Sequence, residues 1–293
     1  MAQPTDLKFL DRPPLLFAVA KGMLRHKLRG GWRLFRLLDS LGYLNGKIVK
    51  YELKQGYCVF VPIYRPERWD RVDLQGYERK LIAALVDASL DCKGPLTIVD
   101  CGADIGLISV LLAAELNRVS KVVAFEPSKE AFPVLQKTLG ELPFEAKALP
   151  LGVSDFSGQG ELRSPSGDGS HHARYLVQVP RGGFSVTTVD SLSLKAVNLV
   201  LKIDVEGGEI GVVRGASRTL AEAEKAIVSI EAHPKVFGRT GVDPIVILRE
   251  IAAIRPFQFI VAETGESNLD LSRPFFEQQA NDGTIYNVVC SSQ

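Results

Sequence analysis

Cysteine is scarce in this chain and never clustered. Cys58, Cys92, Cys101 and Cys290 form no C-x-x-C pair and have no histidine at ligand spacing. A disulfide framework and a structural zinc site are thereby excluded, and a reducing compartment is expected. Long hydrophobic runs are absent as well. The apolar run over 15–20 follows Asp6 and Asp11 and is far too brief for a spanning helix or a secretory leader. These absences point to a cytoplasmic protein. Nor does charge of one sign dominate, since the formal net charge is +1. That balance conceals a gradient: residues 1–90 hold 16 of the 35 Lys and Arg but only 9 of the 34 Asp and Glu. The front of the chain is basic and the remainder acidic. No internal repeat or long low-complexity segment occurs in the 293 residues.

What is present is a globular composition, 46% hydrophobic, patterned as alternating strands and helices. The most informative segment is Leu96-Thr97-Ile98-Val99-Asp100-Cys101-Gly102-Ala103-Asp104-Ile105-Gly106, followed by a periodic run over 107–112. It reads as a buried parallel strand, a tight glycine loop and a helix start. Gly102 allows the sharp turn, and Gly106 lets the helix begin close to the strand. About twenty residues on, Val122-Val123-Ala124-Phe125 ends in Glu126, a carboxylate suited to accept hydrogen bonds from a ribose diol. A dinucleotide fingerprint would need glycine where Asp104 stands, because the backbone there approaches a pyrophosphate. Asp100 and Asp104 suit instead a molecule without phosphate that carries sulfonium and ammonium groups. The pattern favours S-adenosylmethionine over NAD.

Residues 15–44 read as helix in two pieces broken near Gly30-Gly31. Leu24, Leu28, Trp32, Phe35 and Leu38 fall on one stripe, and Lys21, Arg25, Arg29, Arg33 and Arg36 on its neighbour. The basic stripe is either the solvated face of an auxiliary helix or a surface for anionic lipid, nucleic acid or a phosphorylated carrier. Alternating runs over 47–54 and 57–63, around Gln55-Gly56, predict a hairpin, and 76–90 predicts a helix. Further strands are predicted over 121–126, 144–152, 158–163, 175–179, 197–204, 226–231, 257–262 and 285–290, with helices near 129–140, 209–222 and 244–254. Glycine and serine density over 164–172 predicts a surface loop. Residues 1–75 are expected to form a basic helical segment with a hairpin, and 76–293 the cofactor domain.

In an open α/β sheet, ligands sit beyond the carboxyl ends of the strands. There Gly152-Val153-Ser154-Asp155 offers Asp155 to an adenine amino group, with Ser154 beside it. The strand ending at Asp204 delivers that carboxylate to the same edge as Asp100 and Glu126. Lys202, Asp204 and Glu206 share one side if the strand stays regular. Glu209 suits a positive helix N-terminus instead. His233, just after a strand, titrates near neutrality and could take a hydroxyl proton; a structural loop histidine is the alternative. His171 and His172 read as solvent-exposed.

These segments together resemble the FkbM family of S-adenosylmethionine-dependent methyltransferases. The resemblance rests on Asp100-Cys101-Gly102-Ala103-Asp104-Ile105-Gly106, Ala124-Phe125-Glu126-Pro127, Val153-Ser154-Asp155, Thr188-Val189-Asp190, Lys202-Ile203-Asp204-Val205-Glu206-Gly207-Gly208-Glu209 and Glu231-Ala232-His233. It covers roughly residues 77–262. Asp104 departs from the asparagine usual in that family. The resemblance implies an α/β fold of the class I, Rossmann-like kind: a mostly parallel seven-stranded sheet with helices on both faces. It implies O-methylation of a hydroxyl on a sugar, glycan or natural product. Residues and resemblance together assign Asp100, Gly102, Ala103, Asp104, Gly106, Glu126, Pro127, Ser154, Asp155 and Asp204 to the methyl donor, and Asp204 or His233 to the acceptor's proton. Asp204 with Glu231 could offer oxygen ligands to a divalent metal, but none is expected. The alternatives are a nucleic-acid methyltransferase and a non-catalytic cofactor-binding scaffold. Against the first, the chain has no Asn/Asp-Pro-Pro-aromatic signature and no RNA-binding module. An anionic or lipid-linked acceptor would approach from the basic front, at a membrane-peripheral site; oligomerisation is left open.

Overall fold

The computed structural model describes residues 6–54, 56–116, 118–163, 175–205 and 207–293. His171 and His172, with the loop predicted over 164–172, and Glu206 lie outside the described residues.

The front layer begins with β1 (Lys8–Leu10), α1 (Leu15–Arg25) and α2 (Gly31–Ser40), then the predicted hairpin, β2 (Lys47–Lys54) and β3 (Tyr57–Pro62). β1 pairs parallel with β2, and β2 antiparallel with β3. The break between the helices passes through Lys27 (φ 55°) and Gly30 (φ 98°). The break falls where it was expected, but it divides the apolar stripe that was predicted to run across both pieces. Phe35 and Leu38 are buried together with Phe17 and Ala20, whereas Leu28 and Trp32 are exposed. Phe17 meets Phe35 edge-on, ring centroids 5.6 Å apart. The layer's core is completed by Ile105, Leu107, Val110 and Val134 from the next part of the chain.

After α3 (Arg71–Gly76) and α4 (Arg79–Ala88), strand and helix alternate: β4 (Leu96–Cys101), α5 (Leu107–Glu115), β5 (Val119–Phe125), α6 (Phe132–Leu139) and β6 (Glu145–Leu149). Pro150 has no N–H for a ladder. The strand predicted over 144–152 therefore divides there, and β7 (Gly152–Val153) joins a side sheet with β8 (Gly158–Arg163), β9 (Tyr175–Val179) and β10 (Phe184–Thr187) in the order β7-β10-β8-β9. The chain then returns through β11 (Asn198–Ile203), α7 (Glu209–Gly215), α8 (Ser217–Glu222), β12 (Lys225–Ala232), α9 (Pro234–Thr240), α10 (Pro244–Ile254), β13 (Phe257–Val261), α11 (Phe275–Gln278) and β14 (Tyr286–Ser292).

The large sheet has seven strands in the order β13-β14-β12-β11-β4-β5-β6. It is mostly parallel, as expected; β14 runs antiparallel to both its neighbours. β4 and β11 are buried along their whole length, the mark of strands covered on both faces. Val99 and Cys101 pack toward α7, α8 and α10, while Leu96 and Ile98 pack toward α4, α5 and α6. The order of the strands reverses at β4, which places a crevice at its carboxyl end.

Candidate active site

The crevice opens on a buried ionic network. Asp100, at the end of β4, is 1% exposed. Its Oδ2 accepts from the Ser109 hydroxyl at 2.7 Å, and its Oδ1 lies 3.1 Å from the Lys202 ammonium. Lys202 stands in register with Asp100 on the neighbouring β11. It also reaches Asp204 at 3.2 Å and donates to the Gly102 carbonyl at 2.9 Å. Burial alone would lower the pKa of this lysine, but the two carboxylates outweigh burial and raise it above the ordinary value. Lys202 is therefore a fixed ammonium and not a base. Gly102 (φ 79°) has room for no side chain, because a Cβ would lie 1.8 Å from the Asp204 carbonyl oxygen. Gly102 and Ala103 donate their N–H groups to the Phe125 carbonyl, and Asp204 its own to the Cys101 carbonyl. Gly106 opens α5 in the left-handed conformation, φ 82°. The ends of β4, β5 and β11 are thus tied at one edge, with Asp100, Asp204 and Glu126 beside one another.

Glu126 follows β5 and is buried. Its two oxygens accept from the backbone N–H groups of Asp104 at 2.9 Å and Ser128 at 2.8 Å. Pro127 has no N–H, so Ser128 is the first donor beyond it. Burial raises the pKa of Glu126, the Asp104 carboxylate adds to the rise, and the two N–H bonds oppose it. Each oxygen retains a lone pair beyond these backbone bonds. A diol can take both, and the site's fit to a nucleoside rests on that carboxylate. Asp104 itself (φ 47°) is held by Arg65, whose Nη1 donates to both its oxygens at 2.8 and 2.7 Å. Arg65 belongs to the loop after β3 and was not foreseen. The one signal was Asp104: a carboxylate among acidic neighbours calls for a cation.

Ser154 and Asp155 follow β7 in the side sheet. Ser154 supports α7 so closely that a Cβ on Gly215 would lie 2.0 Å from its carbonyl oxygen. Its hydroxyl donates to Asp155 at 3.3 Å, and Asp155 is exposed. Among the described residues no hydrogen bond links either to the Asp100–Glu126 network. Thr188-Val189-Asp190 is a brace: Asp190 accepts from the N–H groups of Arg218 at 3.0 Å and Thr219 at 2.8 Å, at the start of α8. Glu209 accepts from the Gly207 N–H at 2.8 Å ahead of α7, and its burial raises its pKa.

Beyond Asp204 lies a cleft lined by Tyr77, Glu78, Asp204, Ser229, Glu231 and Asn287. Asn287 donates to Glu78 at 2.9 Å and to Glu263 at 3.1 Å. Burial raises the Glu78 pKa, and Glu263 adds to the effect. The Ser229 hydroxyl is buried and has no hydrogen-bond partner among the described residues. Tyr77 with Glu78, Ser229 and Asn287 come from three separate segments and carry no local pattern that sequence reasoning could use. An adjoining cleft is lined by Glu209, Glu231, His233, Phe237 and Thr240. His233 caps α9, its Nδ1 accepting from the Lys235 N–H at 3.1 Å. Among the described residues no three His, Cys, Asp or Glu side chains converge on a metal position.

The sequence pattern of the methyltransferase FkbM domain matches residues 100–257. A hexuronic acid methyltransferase, AglP of Haloferax volcanii, is 28% identical over 228 residues, covering 72% of this chain and 84% of that one. Among solved structures, methyltransferase FkbM from Methylobacillus flagellatus KT gives a TM-score of 0.44 at 19% identity, over 69% of this chain and 45% of that one. This chain thus spans less than half the length of that protein. The plantazolicin methyltransferase BpumL, in complex with SAH, gives 0.40 at 11% identity, over 78% of this chain and 91% of that one. The domain match runs from Asp100 past Glu126, Lys202, Asp204 and His233 and takes in more than half of the chain. The protein belongs to the FkbM methyltransferase family and is a methyltransferase whose methyl donor is S-adenosylmethionine.

Proposed function

We propose that the protein O-methylates a hydroxyl of a sugar, glycan or natural product, with a neutral sugar as the first candidate. The observation that carries this reading is the cleft beside Asp204, whose lining includes Glu78, Glu231 and Asn287. Carboxylates there can accept hydrogen bonds from the several hydroxyls of a polyol. Similarity to a hexuronic acid methyltransferase supports a sugar. A uronate, however, would bring its own carboxylate against Glu78 and Asp204, while Lys202 in the same lining is already engaged by Asp100 and Asp204, and like charges disfavour each other. A neutral polyol suits this cleft better.

S-adenosylmethionine supplies an electrophilic methyl group on a sulfonium. The chain supplies alignment, exclusion of water and removal of a proton. Glu126 holds the ribose, and the loop over 102–106 lies toward the methionine end. Asp204 takes the acceptor's hydroxyl proton: its Oδ2 is the oxygen near Lys202, which leaves Oδ1 for the acceptor. His233 is the weaker base, because its Nδ1 lone pair is engaged by the Lys235 N–H.

The test is transfer of labelled methyl to a panel of neutral and uronic glycosides. A methyl ether on a neutral sugar is expected. Asp204→Asn should lower kcat by about 10²–10⁴-fold; His233→Gln should lower it far less. Methyl transfer to nitrogen or to RNA, or full kcat in the Asp204 variant, would overturn the reading.

A further inference from the structure

Exposed apolar side chains on this protein are concentrated in one place. Thirteen large hydrophobic residues are exposed among the described residues, and eight of them lie between Phe9 and Leu41. Leu15, Val19, Leu28, Trp32, Leu37 and Leu41 form most of that set, with Trp32 60% and Leu15 76% exposed. The predicted basic stripe divides in two on the same surface. Lys21 and Arg25 are engaged by Asp73 and Asp70 at the start of α3, each at 2.6 Å. Arg29, Arg33 and Arg36 are exposed and have no ion pair among the described residues. The nearby Asp39 is already taken by Arg68.

We propose that α1 and α2 rest on an anionic lipid bilayer, with the exposed leucines and Trp32 in the interface and Arg29, Arg33 and Arg36 on headgroup phosphates. An apolar face alone would fit a protein partner, and bare guanidinium groups alone would fit RNA. Aliphatic side chains, an exposed tryptophan and unanswered arginines together are what a helix lying in the membrane interface carries. No helix among the described residues is long and apolar enough to cross a membrane, so the contact is interfacial. The surface is also wired to the donor loop. In the segment after β3, Arg68 binds Asp39 of α2 and lies over the Phe35 ring at 5.2 Å, and three residues earlier Arg65 binds Asp104. The active site is thereby held at the bilayer, where it meets an acceptor sugar carried on a lipid; this last point rests on the sugar reading above.

Vesicle sedimentation of the full chain tests the proposal without turnover. The protein should sediment with phosphatidylcholine vesicles containing phosphatidylglycerol, and not with phosphatidylcholine alone, and added salt should weaken the binding. Arg29→Gln with Arg33→Gln and Arg36→Gln should weaken it by on the order of a hundredfold. Leu28→Ser with Trp32→Ser should weaken it at every salt concentration. Both variants should keep the wild-type melting midpoint and S-adenosylhomocysteine affinity, which shows that they fold. The proposal is overturned if wild-type protein ignores anionic vesicles, or if the variants sediment as wild type does. It is equally overturned by a dimer in light scattering that Leu28→Ser with Trp32→Ser dissolves, or by RNA binding that outcompetes vesicles. A failed glycoside panel would leave the vesicle result standing, so the two readings fail separately.

Discussion

The edge of the large sheet and the front helix pair are both rich in charge, and they treat it in opposite ways. At the edge, the Lys202 ammonium is buried between Asp100 and Asp204, at 3.1 and 3.2 Å. Register between β4 and β11 holds that contact in place. On the front, Arg29, Arg33 and Arg36 stand in water beside exposed Leu28 and Trp32. A buried charge must be answered within the fold, because desolvation is large and only a neighbouring ion offsets it. A surface charge needs no partner until something arrives. The first arrangement gives a small ligand a fixed electrostatic frame; the second gives a large, variable surface something to adapt to.

The comparison breaks most visibly at Lys202. Lys202→Met leaves Asp100 with a charge and no cation in a dry site, and removing one partner of a buried pair costs about 3–5 kcal/mol. The urea midpoint should fall sharply, or the chain should fail to fold. Adding Asp100→Asn to Lys202→Met should restore part of the loss, since the stranded charge goes with it. An unchanged midpoint in the single variant would mean that the edge tolerates loose charge as the front does.

Glu126 gives the next largest effect. On the proposed reading Glu126→Gln would replace charge-assisted hydrogen bonds to the ribose, each worth about 1.5–3 kcal/mol, and calorimetry with S-adenosylhomocysteine should show a corresponding loss of affinity. The pH dependence has a definite sign. Burial raises the Glu126 pKa, so protonation begins above the ordinary carboxylate range. Affinity should fall as pH drops through that raised pKa, and Glu126→Gln should flatten the profile. Stability of the ligand-free protein runs the other way. The folded chain holds this proton more tightly than the unfolded chain, so the group's contribution to stability grows as pH falls through the raised pKa. Affinity and stability with parallel slopes would remove Glu126 from this role.

Much of the donor edge was legible because its signals are local. An apolar run ending in Asp100 or Glu126, with glycine at 102 and 106, states strand, turn and helix within a dozen residues. The side sheet was only half legible: Pro150 diverts β7 out of the large sheet, and a run of apolar residues across it reads as one strand. The apolar stripe over 24–38 failed for a similar reason, because the turn at Lys27 and Gly30 rotates Leu28 and Trp32 away from Phe35. The cleft beside Asp204 was legible only in its strand-end carboxylates, Asp204 and Glu231. Tyr77 and Glu78 stand just ahead of α4, which packs on β12 and β14, and there they meet Ser229 of β12 and Asn287 of β14; nothing near any of these three segments announces the others. A charged residue shows its charge in the sequence but not its partner.

The smallest effect belongs to the pair that joins the two regions. Arg65 comes from the front layer and Asp104 from the donor loop, and the carboxylate side chain is 50% exposed. Water therefore screens the contact, and a double-mutant cycle of Arg65→Gln and Asp104→Asn should give a coupling of about 0.2–1 kcal/mol in unfolding. Asn at 104 should fold readily, because asparagine tolerates the left-handed conformation that Asp104 adopts. The same cycle measured on S-adenosylhomocysteine affinity sharpens the comparison. If Arg65 only braces the loop, both single variants weaken binding together and the pair behaves as a unit. If the guanidinium also meets the donor's carboxylate, Arg65→Gln weakens binding even when position 104 is asparagine. Methylthioadenosine, which lacks that carboxylate, should then bind the variant and the wild type alike. Either outcome assigns Arg65 to one side of the contrast: a solvated charge in reserve, or part of the fixed frame.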